Sequence, residues 1–363
     1  MLLFAAPASA TGEDMVELHC HGGRAVVAAV ERALEALGCR RALPGEFTRR
    51  AFQNGRMDLA EAEGLADLLA AETELQRQAA IGLAEGRFSA QVEGWRERVL
   101  QLSAQVEAAL DFADDDDVSG LPAHFPADAA RLGEELGQWL ARPRAERLKE
   151  GVRVVLAGPP NSGKSTLFNA LLEDEAAITS PEAGTTRDAL ERHVAIDGVP
   201  FTFIDTAGLR EEGAGAIEAV GISRARSHMA RADIVLWLGR EGEGPNDAIE
   251  VETRADDPAH DSKKHPDHRV SGVTGEGVDR LKQELAVRAL TLLPQPGQVA
   301  LNQRQAQLLG RAQASLAQIG GTTDELVVGE HLRQARLAFD SLLGRAATED
   351  MLDTLFGRFC IGK

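Results

Sequence analysis

Cysteine is scarce in this chain. Three cysteines, Cys20, Cys39 and Cys360, stand far apart in 363 residues. They are too few and too scattered for a disulfide framework, and such usage suits a reducing, cytoplasmic setting. Long apolar runs are missing as well: none approaches the roughly 20 residues that a membrane span needs, so no membrane span is expected. The opening MLLFAAPASA ends like a signal peptide, yet it has no basic n-region and only a short apolar core, and secretion is not the reading taken. Positive charge is in deficit, with 39 basic residues against 57 acidic ones and a net charge of −18. That excludes coating nucleic acid by bulk attraction, so any RNA contact must use local arginine clusters or a partner. Internal repeats and low-complexity segments are absent too, and 44% hydrophobic residues suffice for two or three real cores.

Along the chain, residues 1–57 mix strand and helix patterns. Met15 to Leu18 alternates like a strand, and Ala25 to Leu37 is apolar at helical spacing. Gly22-Gly23 reads as a tight turn. His19-Cys20-His21 is no metal site on this pattern, because alternating strand residues point to opposite faces. Residues 58–150 read as helical: no proline occurs from Asp58 to Leu110, and Trp95, Val99, Leu102, Val106 and Leu110 make one stripe. Asp114 to Asp117 is read as a solvated acidic connection. Leu132, Leu136 and Trp139 resume the helix, and Pro143 breaks it. Strands near 152–156, 193–196, 201–204, 233–238 and 249–253 alternate with helices in residues 151–293, the pattern of a doubly wound α/β sheet. Residues 294–363 return to helix at Asn302–Ile319, Val327–Leu343 and Thr348–Phe359. Helical sequence on both sides predicts an α/β domain inserted into one α-helical bundle.

Chemistry concentrates in that α/β segment. Gly158 to Thr166 reads GPPNSGKST, a full GxxxxGK[ST] P-loop directly after the apolar run Val152–Leu156. Gly158 and Gly163 let backbone N–H groups face phosphate oxygens. Lys164 reaches the outer phosphates, and the Ser165 hydroxyl takes one Mg²⁺ position. Asn161, Ser162 and Thr166 complete the loop. A second strand, Phe201–Ile204, ends in Asp205-Thr206-Ala207-Gly208, a DxxG whose carboxylate supports Mg²⁺ and whose glycine amide senses the γ-phosphate. Two phosphate motifs in this order indicate a GTPase. Between them, Gly184-Thr185-Thr186-Arg187-Asp188 is a loop of switch type, with Thr186 the natural second hydroxyl for Mg²⁺.

Two expected signatures are altered. The guanine-reading NKxD is replaced at the end of the last strand by Thr253-Arg254-Ala255-Asp256. Asp256 keeps its place for two guanine nitrogens, and Arg254 can stack its plane on a base as lysine does. Thr253 is the loss on this reading, since asparagine also ties this loop to the P-loop, and weaker binding is expected; GTP is favoured over ATP. Ser271-Gly272-Val273 takes the place of the SAK loop. After DTAG stands Leu209, which cannot orient water, and no arginine finger is assigned, a group worth roughly 10³ to 10⁵ in rate. A monovalent cation can supply that charge. Asn161 offers an oxygen for it, the alternative being a plain turn residue.

These residues resemble the tRNA modification GTPase family MnmE, also called TrmE. The likeness runs through TGED, HGG, PGEFTRRAF at 44–52, MDLAEAEGLADL at 57–68, GPPNSGKST, AGTTRD, DTAGLRE and the terminal Phe359-Cys360-Ile361-Gly362-Lys363. The resemblance implies a folate-binding-type α+β domain at the N-terminus, here shortened, and a helical domain split by the GTPase domain. It implies action as a homodimer with tRNA and the FAD protein MnmG, placing an aminomethyl-type group on C5 of the wobble uridine. The one-carbon unit would come from methylenetetrahydrofolate. It also implies K⁺ held by Asn161 and by Gly184, Thr185 and Thr186, with Glu218 orienting the water in place of Leu209. The shortened start leaves the folate site open. Cys360 is expected to serve the tRNA reaction, carried by a segment that Phe359 and Ile361 anchor; the bland reading is a packed or frayed thiol. The competing class is a GTP-switched binding protein, for example in ribosome assembly, and a third reading is a hydrolytically dead relative.

Overall fold

The computed structural model describes residues 1–111, 120–173, 176–177, 191–205, 227–257, 262–346, 348–357 and 359. They form two compact units, each drawn from separated stretches. One comprises Met1–Ala70, Ala80–Ala141 and Arg304–Lys363, the other Ala71–Ala79 and Arg142–Gln303.

In the first unit, β1 (Leu2–Phe4) pairs antiparallel with β2 (Met15–Glu17), Leu3 opposite Val16. The helix Arg24–Ala36 follows and buries none of its residues. Asp58 starts the helix Leu59–Leu69 through a capping box: its carboxylate accepts from Glu61 N at 2.9 Å, and Glu61 accepts from Asp58 N at 2.7 Å. Each bond satisfies an N–H that the first turn would leave open. Burial nevertheless pushes the Glu61 carboxyl up.

The helix Arg87–Asp111 buries Trp95, Val99, Leu102, Val106 and Ala109. The expected stripe ended on Leu110, which is only half-buried. Alternating steps of four and three residues keep one face, so Ala109 follows Val106 and Leu110 rotates away. Trp95 stands edge-on to Trp139 with ring centroids 5.3 Å apart, Phe88 and Phe339 completing the cluster. The indole Nε1 donates to Glu135 at 2.8 Å, so the buried ring keeps its polar atom satisfied. Burial raises the Glu135 carboxyl, but donors from Trp95, Arg98 and Gln91 outweigh it and hold it below its ordinary range. The helices Gln303–Ile319 and Glu325–Leu342 are joined to Leu59–Leu69 by a fork. Arg304 meets Glu63 at 2.7 and 2.8 Å and donates to the Ser341 carbonyl at 3.0 Å, while buried Gln305 donates to Glu63 at 2.7 Å.

The second unit is a seven-stranded sheet in the order β4-β5-β6-β3-β7-β8-β9. Its strands are β3 (Val152–Ala157), β4 (Ala176–Ala177), β5 (Glu191–Ile196), β6 (Val199–Asp205), β7 (Ile234–Trp237), β8 (Ile249–Glu252) and β9 (His268–Arg269). From β6 through β9 every pairing is parallel. Strand β6, parallel to β3 on one side and antiparallel to β5 on the other, is buried at every residue, as a strand inside a sheet covered on both faces is. The expected doubly wound sheet needs one correction. β5 starts two residues before the strand read at 193–196 and returns antiparallel onto β6 through Asp197-Gly198, both at positive φ (50° and 76°). That is the turn geometry that lets strands follow each other without a crossover. The short β9 carries too little apolar sequence to be read in advance.

Candidate nucleotide site

Loops leave the carboxyl ends of β3 and β8, and Asp205 closes the carboxyl end of β6 beside β3, the edge at which an open α/β sheet places its ligand. The P-loop leaves β3. Gly158 (φ 154°) is tightly enclosed, since a Cβ would stand 3.0 Å from the Leu238 carbonyl carbon and from Ser162 Oγ. Gly163 (φ 86°) caps the helix Lys164–Leu172 in the left-handed conformation that glycine adopts freely. Free N–H groups and the dipole of that helix favour an anion in front of it.

Lys164 is 5% exposed, and its ammonium donates to the carbonyls of Gly158 at 3.1 Å and Pro159 at 2.7 Å. Asp205, at the end of β6, is 8% exposed. Its Oδ2 accepts from Ser165 Oγ at 2.8 Å, so two of the three groups expected at Mg²⁺ meet. Ser162 Oγ is buried without a hydrogen-bond partner among the described residues. An orphaned hydroxyl, a buried ammonium, a hydroxyl–carboxylate pair and a helix N-terminus are a donor set that fits a triphosphate with its Mg²⁺. Asn161 is exposed and left-handed at φ 61°.

The Thr253–Asp256 loop, expected to read the base, holds to the P-loop by two bonds. Thr253 Oγ1 donates to the Ser162 carbonyl at 2.7 Å, and Arg254 Nη2 donates to the Asn161 carbonyl at 2.8 Å. The first corrects the expectation that threonine loses the tie: a short side chain with one hydroxyl reaches the carbonyl because Gly163 leaves room, a Cβ there lying only 3.1 Å from Thr253 Oγ1. The replacement of one hydrogen-bonding side chain by another was the signal for it in the sequence. Arg254 sits at φ 59° with its guanidinium on the P-loop, so its planar end is fixed by a loop carbonyl.

Ser271 is fully buried, and its hydroxyl accepts from Val273 N at 3.2 Å and Thr274 N at 3.1 Å. It also bonds Asp256. That bond, then the residue's own amide and the Arg254 charge, hold the Asp256 carboxyl below its ordinary value. Gly272, read as part of the loop in place of SAK, lies on the P-loop helix: a Cβ would meet the Thr166 carbonyl carbon at 2.9 Å.

With this geometry in view, two families match the chain: the description "GTP-binding protein TrmE N-terminus" over residues 1–56 and "MnmE helical domain" over residues 59–360. The tRNA modification GTPase MnmE of Erythrobacter litoralis (strain HTCC2594) is 63% identical, the match taking in 98% of this chain and 84% of that protein. The chain belongs to the MnmE family of tRNA modification GTPases. Its counterpart in Novosphingobium aromaticivorans is 59% identical over the same shares. Among solved structures, Era of Aquifex aeolicus bound to GDP·AlF₄⁻ is 24% identical and covers 48% of this chain and 69% of that one with a TM-score of 0.28, a superposition too loose to carry an argument.

Of the residues the sequence assigned, the described part of the structure brings together Asn161, Ser162, Gly163, Lys164, Ser165, Thr166, Asp205, Arg254, Asp256 and Ser271. Glu218, Gly208, Gly184, Thr185, Thr186, Leu209 and Cys360 lie outside the described residues. No described helix is long and apolar enough to cross a membrane.

Proposed function

We propose that this MnmE-family GTPase acts with MnmG on tRNA, placing an aminomethyl-type group on C5 of the wobble uridine, and that GTP hydrolysis drives the cycle. The observation that carries the GTPase part is the meeting of Ser165 Oγ and Asp205 Oδ2 at 2.8 Å beside the buried Lys164. The tRNA part is supported by the 63% identity to a tRNA modification GTPase over nearly the whole chain. In this reading Ser165, Asp205 and Thr186 hold Mg²⁺, which when bound neutralises charge on the β- and γ-phosphates. Lys164 sets its positive charge on the outer phosphates. The Gly208 amide faces the γ-phosphate, and Asp256 reads guanine on a loop that Thr253 and Arg254 hold against the P-loop. Asn161, with Gly184 and Thr185, would hold K⁺, which when bound supplies the missing positive charge. The chain acts as a homodimer, and Glu218 would orient the water.

The match of residues 1–56 to the TrmE N-terminus supports a folate-binding-type domain and methylenetetrahydrofolate as the one-carbon source. FAD comes with MnmG. The longer stretch of the nucleotide unit, Arg142–Gln303, falls in sequence between stretches of the other unit, which supports insertion of the GTPase domain into the helical one. A reducing cytoplasm is the setting that fits the free thiols. The test is a reconstitution: tRNA incubated with the chain, MnmG, FAD, GTP, K⁺, methylenetetrahydrofolate and glycine or ammonium, then digested and its nucleosides resolved by mass. A GTP-dependent gain of the C5 group on uridine is expected. GTP turnover without any new nucleoside would overturn the modification reading in favour of a switched binding protein.

A further inference from the structure

The Glu46–Gln53 helix, the middle of the PGEFTRRAF block, takes no part in the nucleotide chemistry, yet it is built closely onto the last helix of the chain, Glu349–Phe356. Three contacts of different kinds make the joint. Gly45 stands at φ 67°, and a Cβ there would lie 2.3 Å from the Phe356 carbonyl oxygen, so glycine alone lets the two backbones approach this closely. Arg49 opens as a fork: Nη1 donates to Asp353 Oδ1 at 2.6 Å and Nη2 to the Glu349 carboxylate. Those carboxylates are one turn apart, so a planar fork that takes both reads the rotation of the helix as well as its position. Phe52 meets Phe356 with centroids 6.1 Å apart, and Phe356 meets Phe359 at 6.1 Å. Leu59, Ala62, Leu352, Phe356 and Phe359 are buried in one cluster.

The three contacts divide the work. Phe356 and Phe359 are 2% and 6% exposed, so apolar burial supplies the adhesion. Glu349 and Asp353 are 72% and 62% exposed, and ion pairs in that much water add little strength. What they add is direction.

We infer that Arg49, supported by Gly45 and Phe52, is a positioning residue for the C-terminal segment: it sets the rotation of Glu349–Phe356 and thereby the point at which Phe359 passes the chain to Cys360. The link to tRNA chemistry rests on the reading of Cys360 given above. The test uses the full chain with Cys20→Ser and Cys39→Ser, both thiols being exposed, so that Cys360 is the thiol left to react with an aromatic disulfide reagent. Thiol reaction rate, tRNA modification with MnmG and GTP turnover are measured together.

Arg49→Glu should change the thiol rate by at least about threefold and cut modification about tenfold, with GTP turnover within about twofold of the parent. Adding Glu349→Arg and Asp353→Arg, which rebuilds the pairs with reversed charge, should bring thiol rate and modification back. Should the reversal unfold the chain, Arg49→Gln is expected to show a smaller change in the same direction. An unchanged thiol rate in a folded Arg49 variant, or no recovery on re-pairing, overturns the inference. A thiol rate that shifts and recovers while modification stays constant upholds the positioning role and removes Cys360 from the reaction.

Discussion

Strand β6 and the helix Arg24–Ala36 are both rich in apolar residues, yet β6 buries all seven of its residues and the helix buries none. The difference lies in the neighbours. β6 runs between β3 and β5 and its side chains enter the core around Phe201 and Phe203, whereas Val26, Val27 and Leu34 remain 36 to 43% exposed. Apolar content therefore says little about where the molecule is held together. The nucleotide loops hang from strands that are buried almost throughout, and that is why Asp205 and Lys164 arrive at fixed places although their own charges disfavour burial.

The largest effect that would sharpen this contrast is on stability. Phe203→Ala should destabilise the second unit by about 3–5 kcal/mol in urea unfolding, while Val27→Ala should stay within about 0.5 kcal/mol. Comparable losses at the two positions would break the comparison. Next in size is the tie between loops. Thr253→Val keeps the shape but removes the hydroxyl that satisfies the Ser162 carbonyl, a loss of about 1 kcal/mol, and titration calorimetry should show GTP bound roughly fivefold more weakly. An unchanged affinity would mean that Arg254 holds the base loop alone.

The smallest effect is on pH. Because Ser271 first, then the residue's own amide and Arg254 depress the Asp256 carboxyl, its charged form is fully present above the ordinary value of 3.8 and is lost only as pH falls below it. GTP affinity should therefore show no Asp256-linked decline between pH 7 and pH 5. Ser271→Ala should move the onset of that decline upward toward the ordinary value. A parent chain that already loses half its affinity by pH 5, with Ser271→Ala no different, would remove Asp256 from base recognition.

Much of the nucleotide site was legible in the sequence because its parts are local. GPPNSGKST after an apolar strand and DTAG after another each carry geometry within a few residues. Long-range matters were not legible in the same way. The Thr253 tie crosses 91 residues and depends on the space left by Gly163. The Arg49 fork spans 304 residues to Asp353, and no periodicity marks an arginine that meets two carboxylates on a distant helix. Leu110 gave way to Ala109 because helical phase decides burial more finely than apolar character does. The hairpin β5–β6 escaped because Asp197-Gly198 reads as an ordinary loop until both residues are seen at positive φ.

The central claim is a GTPase that takes its missing positive charge from a bound monovalent cation and its water-orienting group from Glu218. GTP turnover measured in K⁺ and in Na⁺ at equal ionic strength, for the parent chain and for Glu218→Ala, tests it most directly. The account predicts Mg²⁺-dependent turnover stimulated about tenfold or more by K⁺ and lost in Glu218→Ala while GTP affinity stays within a few-fold. Equal rates in the two salts, together with undiminished turnover in Glu218→Ala, would contradict it.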